Sequence, residues 1–323
     1  MSVEFAFVAG SMSSNSEGAS FFFDPAKSTA TLAQVESAGF HSIVIDEFAG
    51  LLTNFDLAAS MSSVSSLRIV MTHWAGVVAP TVAAKQLAWL DATSGGRLAL
   101  RMLVDGGIEG GETAAGHVAA WQQTDEYLVL LKRLWSNEEP FDHEGPFYSI
   151  RGGFVPHKSL RGFEIPIRMG GLSGTALKVA ARHADIFELA PGSPAEVHGL
   201  IARVRAAAVE YGRAEKIRFA LPVRFTQRQR HGAAGTAIAT EAVQLPGLSP
   251  QAAVSMLAYA EAGVEEFMIV DRWGPEQIER FGREVAPLVK NSLRRKEDHA
   301  LPPVSLLSGW RLGYVPGAPS NSR

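Results

Sequence analysis

The amino-acid sequence predicts an α/β protein built as one parallel (β/α)8 barrel, and three observations predict it. Short apolar runs alternate with helical stretches, as parallel strands covered by helices do. The alternation counts to eight strand–helix units over residues 1–290, against roughly 250 residues for a typical barrel of this kind. Several strands empty into polar or glycine-rich loops, which is how such a barrel presents a site at its C-terminal rim.

Composition narrows the function. The 323 residues are 46% hydrophobic and 20% charged, enough for one large core. A formal net charge of −3 gives no electrostatic case for nucleic acid or an anionic membrane. The absence of cysteine rules out disulfides, thiolate-held zinc and thiol catalysis. The opening VEFAFVAG has no basic leader and is too short to span a bilayer, so a soluble cytoplasmic location is the expectation.

Val3–Val8 reads as strand one, followed by a Ser/Gly/Asn-rich loop over 9–25 that carries Phe21, Phe22 and Phe23. A helix over 26–38 stops at Gly39, and His41–Ile45 is strand two, ending in Asp46 and Glu47. A small-residue helix over 55–65 leads to strand three, Leu67–Thr72, which ends in His73 and Trp74. The fourth unit is the clearest, GVVAPTVAAKQLAWLDATSGGRLALRMLVDGG over 76–107. Pro80 suits a first helical turn, where its missing N–H would be unpaired anyway. Val82, Leu87 and Leu90 share an apolar face, Ser94-Gly95-Gly96 ends the helix, and the apolar strand 98–104 stops at Asp105-Gly106-Gly107. A Gly/Ala-rich loop over 108–120 precedes an amphipathic helix, Trp121–Trp135, with Tyr127, Leu128, Leu131 and Leu134 on one face.

Residues 141–164 read as an insertion, a short hairpin. Strands five to eight are Ile165–Met169, Ala184–Leu189, Ile217–Phe225 and Glu266–Val270, alternating with helices over 174–183, 194–211, 250–262 and 275–289. The stretch 227–248 is polar and without period, which predicts a small mobile lid. Residues 291–323 hold too many Pro, Gly and Ser for a core element and predict a C-terminal tail after a 1–290 barrel domain.

Gly170-Gly171-Leu172-Ser173-Gly174 joins strand five to a helix. Glycines let backbone N–H groups approach an anion, and a helix N-terminus adds positive dipole. Ser173 either caps the helix or bonds a phosphate oxygen, and an ordinary turn is the plain alternative. Arg224, Arg228 and Arg230 near the end of strand seven form a rival clamp or a solvated charge run. Arg101, inside an apolar strand, either faces an anionic cofactor or substrate or forms a core ion pair with Asp46 or Glu47. His73 and His117 are the candidate proton carriers, since imidazole titrates near neutrality. Phe21, Phe22, Phe48, Leu51, Leu52 and Trp74 suggest an apolar wall at the rim, better suited to an uncharged substrate than to a polyanion. No HExxH, P-loop, GxGxxG or GxSxG occurs, so a metal site, nucleotide hydrolysis and serine esterase chemistry have no support.

APTVAAKQLAWLDATSGGRLAL resembles the signature segment of the bacterial-luciferase-like, flavin-dependent monooxygenases, nearest the branch that oxidises alkanesulfonates, sulfones and aminocarboxylates. The resemblance spans 1–290, strongest over 79–100 and 121–190. It implies a TIM barrel and a two-component reaction, in which a separate flavin reductase supplies reduced FMN and O2 oxidises a small organic substrate. It implies a homo-oligomer, dimer or tetramer, with the helices over 55–65 and 80–93 between subunits and the tail touching a partner. It gives the 170–174 loop the flavin phosphate, through Gly170, Gly171, Ser173 and Gly174, and lines the ring with Trp74, Arg101, Asp105 and Trp121. His117 falls on a family histidine and is the first choice for proton transfer, with His73 second. Asp91 and Arg97 are scaffold in the family, and His183 and Asp185 match a motif at the barrel bottom.

The chain departs from the family in four places. Arg101 to Asp105 replaces the usual Asn-Val-Val-Thr-Gly run. Ala120-Trp121 replaces an Arg-Tyr, and Trp121 either stacks on the flavin or belongs to the core. The loop after strand two has no cysteine near Leu51, and the insertion after strand seven is short. Relatives that use the deazaflavin F420 supply an alternative cofactor, and the altered positions leave a non-catalytic flavin-binding protein as a third reading.

Overall fold

The computed structural model describes residues 2–9, 25–46, 53–104, 114–158, 160, 165–226, 241–271 and 273–300. In chain order the elements are β1 (Glu4–Ala9), α1 (Pro25–Ser37), β2 (Ser42–Ile45), α2 (Asn54–Val64), β3 (Arg68–Trp74), α3 (Pro80–Thr93), β4 (Leu98–Leu103) and α4 (Ala114–Ser136). There follow β5 (Phe141–Glu144), β6 (Ser149–Gly153), β7 (Ile167–Gly170), α5 (Gly174–His183), β8 (Ile186–Glu188) and α6 (Pro194–Ala208). The last are β9 (Arg218–Phe225), β10 (Val243–Leu245), α7 (Pro250–Glu261), β11 (Glu266–Ile269), α8 (Pro275–Glu284) and α9 (Ala286–Ala300). Eight parallel strands run in the cyclic order β1-β2-β3-β4-β7-β8-β9-β11, and β11 pairs back onto β1, so the barrel is closed. This is the predicted (β/α)8 architecture.

The alternation of each strand sorts its side chains between two layers. Ala6, Val8, Val44, Val70, Ala99, Ile186, Ala220 and Met268 fill the barrel itself. Phe5, Phe7, Ile43, Ile45, Ile69 and Met71, one residue out of phase, pack outward against the helices. There Leu87 and Leu90 of α3 and Leu128 and Leu131 of α4 are fully buried, each contributing about 1.5–3 kcal/mol. α3 starts at Pro80 and ends in a turn whose Gly95 and Gly96 take φ of 68° and 74°, a region open to glycine at no steric cost.

Three segments differ from the sequence reading. α4 begins at Ala114, so His117 stands on a helix and not in a loop; four alanines between 114 and 120 carry enough helix propensity to offset Gly116. Within 227–248, where no element was expected, Val243–Leu245 forms β10 beside β9, with Thr226 N–H donating to the Leu245 carbonyl. The rest of the lid expectation, 227–240, lies outside the described residues. α9 runs past residue 290 to Ala300 because Val289 and Leu293, one turn apart, bury a shared face against α7. The predicted insertion does contain a hairpin, β5–β6. It is pinned to α4 by Glu126, which bonds His143 Nε2 and accepts from the Phe147 and Tyr148 N–H groups.

Candidate active site

The glycine segment stands where strand becomes helix at the C-terminal rim. Gly170 ends β7, Gly174 opens α5, and Ser173 is the N-cap, its hydroxyl accepting from Ala176 N–H at 3.1 Å. Of the two roles open to Ser173, the structure contains the cap. Gly171 has φ +139°; a methyl group there would lie 2.6 Å from the Ala176 Cβ and 3.0 Å from Trp121 Cζ2. Trp121 of α4 therefore lies directly over this loop. The space around the Gly174 Cα is open. First-turn N–H groups have no partner inside their own helix, so the donor set fits a phosphate.

Arg101 is ion-paired on both sides. Its Nε donates to both Glu188 carboxylate oxygens, at 2.9 and 3.0 Å, and its Nη1 donates to Asp46 Oδ1 at 2.8 Å. These carboxylates raise the guanidinium pKa against the opposing effect of burial. Glu188 Oε1 lies 3.8 Å from Arg168 Nη1, and Arg168 in turn bonds Glu266. All are in phase with the inward-facing residues of their strands, so a five-membered chain of alternating charge runs through the barrel. The ion-pair alternative for Arg101 is realised through Asp46, and Glu188, which sequence reasoning missed, is the second partner. The available signal was a charge in mid-run: Arg101 in LALRML, Arg168 in IPIRM, Glu188 in DIFEL.

The two candidate histidines fare differently. His117 is exposed, one helical turn before half-buried Trp121 on the same face of α4, and that face leads to the glycine loop. His73 is held on the other face of its strand. It is out of phase with inward-facing Val70 and Thr72, and its Nε2 shares a 2.8 Å hydrogen bond with the Tyr127 hydroxyl of α4. It points between strand and helix, away from the mouth, and desolvation pushes its pKa from 6.5 down to about 4.

This has a measurable consequence. A pKa depressed on folding means that the neutral imidazole stabilises the fold above pH 6.5, and that this stability is lost as pH falls toward 4. The shift corresponds to at most about 3 kcal/mol. His73→Gln keeps a hydrogen-bonding group and removes the titration. Its Tm is expected to fall less than that of the wild type between pH 7 and pH 4.5; parallel Tm curves would show that His73 does not titrate this way.

Trp74 ends β3 in the inward phase, half-buried. Asp105, Glu47, Phe21, Phe22, Phe48, Leu51, Leu52, Arg228 and Arg230 lie outside the described residues. Arg224 lies 3.9 Å from Asp271, whose carboxyl accepts from Phe225 N–H at 2.7 Å and is pushed up to about 6 by burial. Arg97 donates to the Ser62, Ser65 and Leu67 carbonyls, tying α2 to β3 as scaffold. His183 bonds Asp125 of α4, and Asp185 bonds Arg213 and the Ile167 N–H, so both brace the helical layer and the strand starts. Among the described residues no group of three potential metal ligands gathers, and no helix is long and apolar enough to cross a membrane.

A closed parallel barrel with a glycine-built helix start at its C-terminal rim defines the class, a (β/α)8-barrel protein. The chain belongs to the luciferase-like monooxygenase family, which it matches over residues 3–253. That makes it an oxidoreductase of the flavin-dependent type. Its fold is similar to long-chain alkane monooxygenase LadA, with a TM-score of 0.73 at 15% identity over 92% of each chain. It is also similar to the oxygenating constituent of 3,6-diketocamphane monooxygenase from Pseudomonas putida, solved in complex with FMN (TM-score 0.67, 16% identity, 89% and 99% of the chains). An F420-dependent secondary alcohol dehydrogenase, in complex with an F420-acetone adduct, aligns with a TM-score of 0.69 at 14% identity over 90% of this chain and 99% of its own.

Proposed function

We propose that this protein is a two-component monooxygenase that takes reduced FMN from a separate flavin reductase and uses O2 to oxidise a small organic substrate. The observation that carries the proposal is the contact between Trp121 and the Gly171 helix start, a flat aromatic beside an anion-binding geometry on a luciferase-like barrel. When bound, reduced FMN would supply the electrons that activate O2. Gly170, Gly171 and Gly174, with the first N–H groups of α5, hold the phosphate. Trp74 and Trp121 line the ring. His117, one turn from Trp121, would transfer the proton, and Arg101, held by Asp46 and Glu188, would supply fixed charge to the site.

The test couples three measurements: O2 consumption with reduced FMN, product formation across sulfur- and nitrogen-containing candidates, and titration with oxidised FMN, reduced FMN and F420. Oxidation of reduced FMN at its free-solution rate, with no product, sinks the monooxygenase reading. Binding of F420 in preference to FMN favours hydride transfer, a reading supported by the likeness to the F420-dependent dehydrogenase.

The same reading includes a homodimer formed through α2 and α3. Val64, Val82 and Trp89 are exposed on these neighbouring helices, and the Trp89 ring lies 5.8 Å from that of Phe55, tilted by 30°. Exposed apolar surface of this kind marks association. Trp89→Arg is expected to halve the mass seen by light scattering at micromolar concentration; a wild-type monomer under those conditions refutes the dimer.

A further inference from the structure

We infer that Glu188 is a positioning residue that, by clamping Arg101 at the barrel mouth, sets the electrostatic potential felt by a flavin bound above it. The inference rests on the flavin reading of the same site. Glu188 ends β8 and touches two parts of that site at once. Its carboxylate receives Arg101 Nε through both oxygens. Its backbone carbonyl lies where the chain enters the glycine loop, since a methyl group on Gly170 would sit 2.7 Å from it. The chain of charges has a closed end and an open end. The Arg168 and Glu266 side chains are 1% and 2% exposed, whereas Asp46, Arg101 and Glu188 are 14%, 10% and 12% exposed. The Arg101–Glu188 end therefore communicates with the mouth.

The five groups are three carboxylates and two guanidinium groups, which sum to −1. A site enclosed by protein screens charge poorly, so one unit removed or added there acts on a nearby ligand over several ångströms. Two-electron reduction of a flavin with uptake of one proton adds a negative charge to the ring. The Glu188 carboxylate opposes that change, and the Arg101 guanidinium favours it.

The experiment compares binding of oxidised and reduced FMN, and the midpoint potential of bound FMN against a reference dye, in the wild type, Glu188→Gln, Arg101→Gln and Arg101→Lys. Glu188→Gln keeps an oxygen to accept from Arg101 and deletes one negative charge. It is expected to favour the reduced form by roughly tenfold, which is about 30 mV upward for a two-electron couple. Arg101→Gln is expected to shift the ratio a similar distance the opposite way, and Arg101→Lys, which keeps the charge, to stay within roughly twofold of the wild type. Circular dichroism establishes folding, and if Arg101→Gln does not fold, the sign of the Glu188→Gln shift decides. Shifts of both Gln variants in one direction, or an unmoved ratio for Glu188→Gln, overturn the inference while leaving the flavin reading intact. A wild type that binds neither FMN nor F420 overturns both.

Discussion

Replacing Glu266 by alanine is expected to destabilise the protein by about 3–5 kcal/mol, the range for breaking a buried ion pair by removing one partner. Glu266 opens β11, in phase with inward-facing Met268, and bonds Arg168 from across the barrel. Arg168 is 1% exposed, its Nη2 donates to Glu266, and neither its Nε nor its Nη1 has a hydrogen-bond partner among the described residues, so without Glu266 its charge is left with the longer contact to Glu188. The cost is the desolvation of a stranded guanidinium more than the loss of an attraction. A second variant separates these. Arg168→Met with Glu266→Leu removes both charges and fills the space with apolar atoms, and it is expected to recover most of the loss. Urea denaturation measures both. A Glu266→Ala variant within 1 kcal/mol of the wild type would mean that water reaches Arg168, and the interior would then not be dry.

Replacing Gly171 by aspartate is expected to weaken FMN binding by two orders of magnitude or more, an estimate that combines backbone strain, steric overlap and charge repulsion. At φ +139° any side chain is strained, and a Cβ meets Ala176 at 2.6 Å and Trp121 at 3.0 Å. Accommodating it pushes α5 and Trp121 apart, and the carboxylate then opposes the phosphate at the helix start. Gly171→Ala isolates the steric part. Gly199→Ala on α6, where the space is also open, is the control; it is expected to bind FMN as the wild type does. Full FMN affinity in folded Gly171→Asp would move the phosphate elsewhere, first to Arg224 at the end of β9.

The sequence by itself determined the barrel. Strand and helix periods are local properties of the chain, so eight strands and the start of α3 at Pro80 were readable without tertiary contacts. The glycine loop was readable for the same reason, since a GGLSG between strand and helix announces its own backbone geometry. The resemblance at 79–100 and 121–190 pointed to the family that the chain belongs to. Even the hairpin and the beginning of α4 differed only at boundaries, where alanine propensity outweighed one glycine.

Only the tertiary structure decided which polar residues work together. His73 and Trp74 are adjacent in sequence, yet the pleat sends one toward Tyr127 and the other toward the mouth. Arg101 and Glu188 are 87 residues apart, and Arg168 and Glu266 are 98 apart. A charge inside an apolar strand tells the reader that a partner is required, because an unpaired buried charge is too costly to keep. It does not say which carboxylate supplies the pairing, since that follows from strand order and stagger around the closed barrel. Those are fixed by packing among all eight strands together, and no stretch of sequence carries them alone.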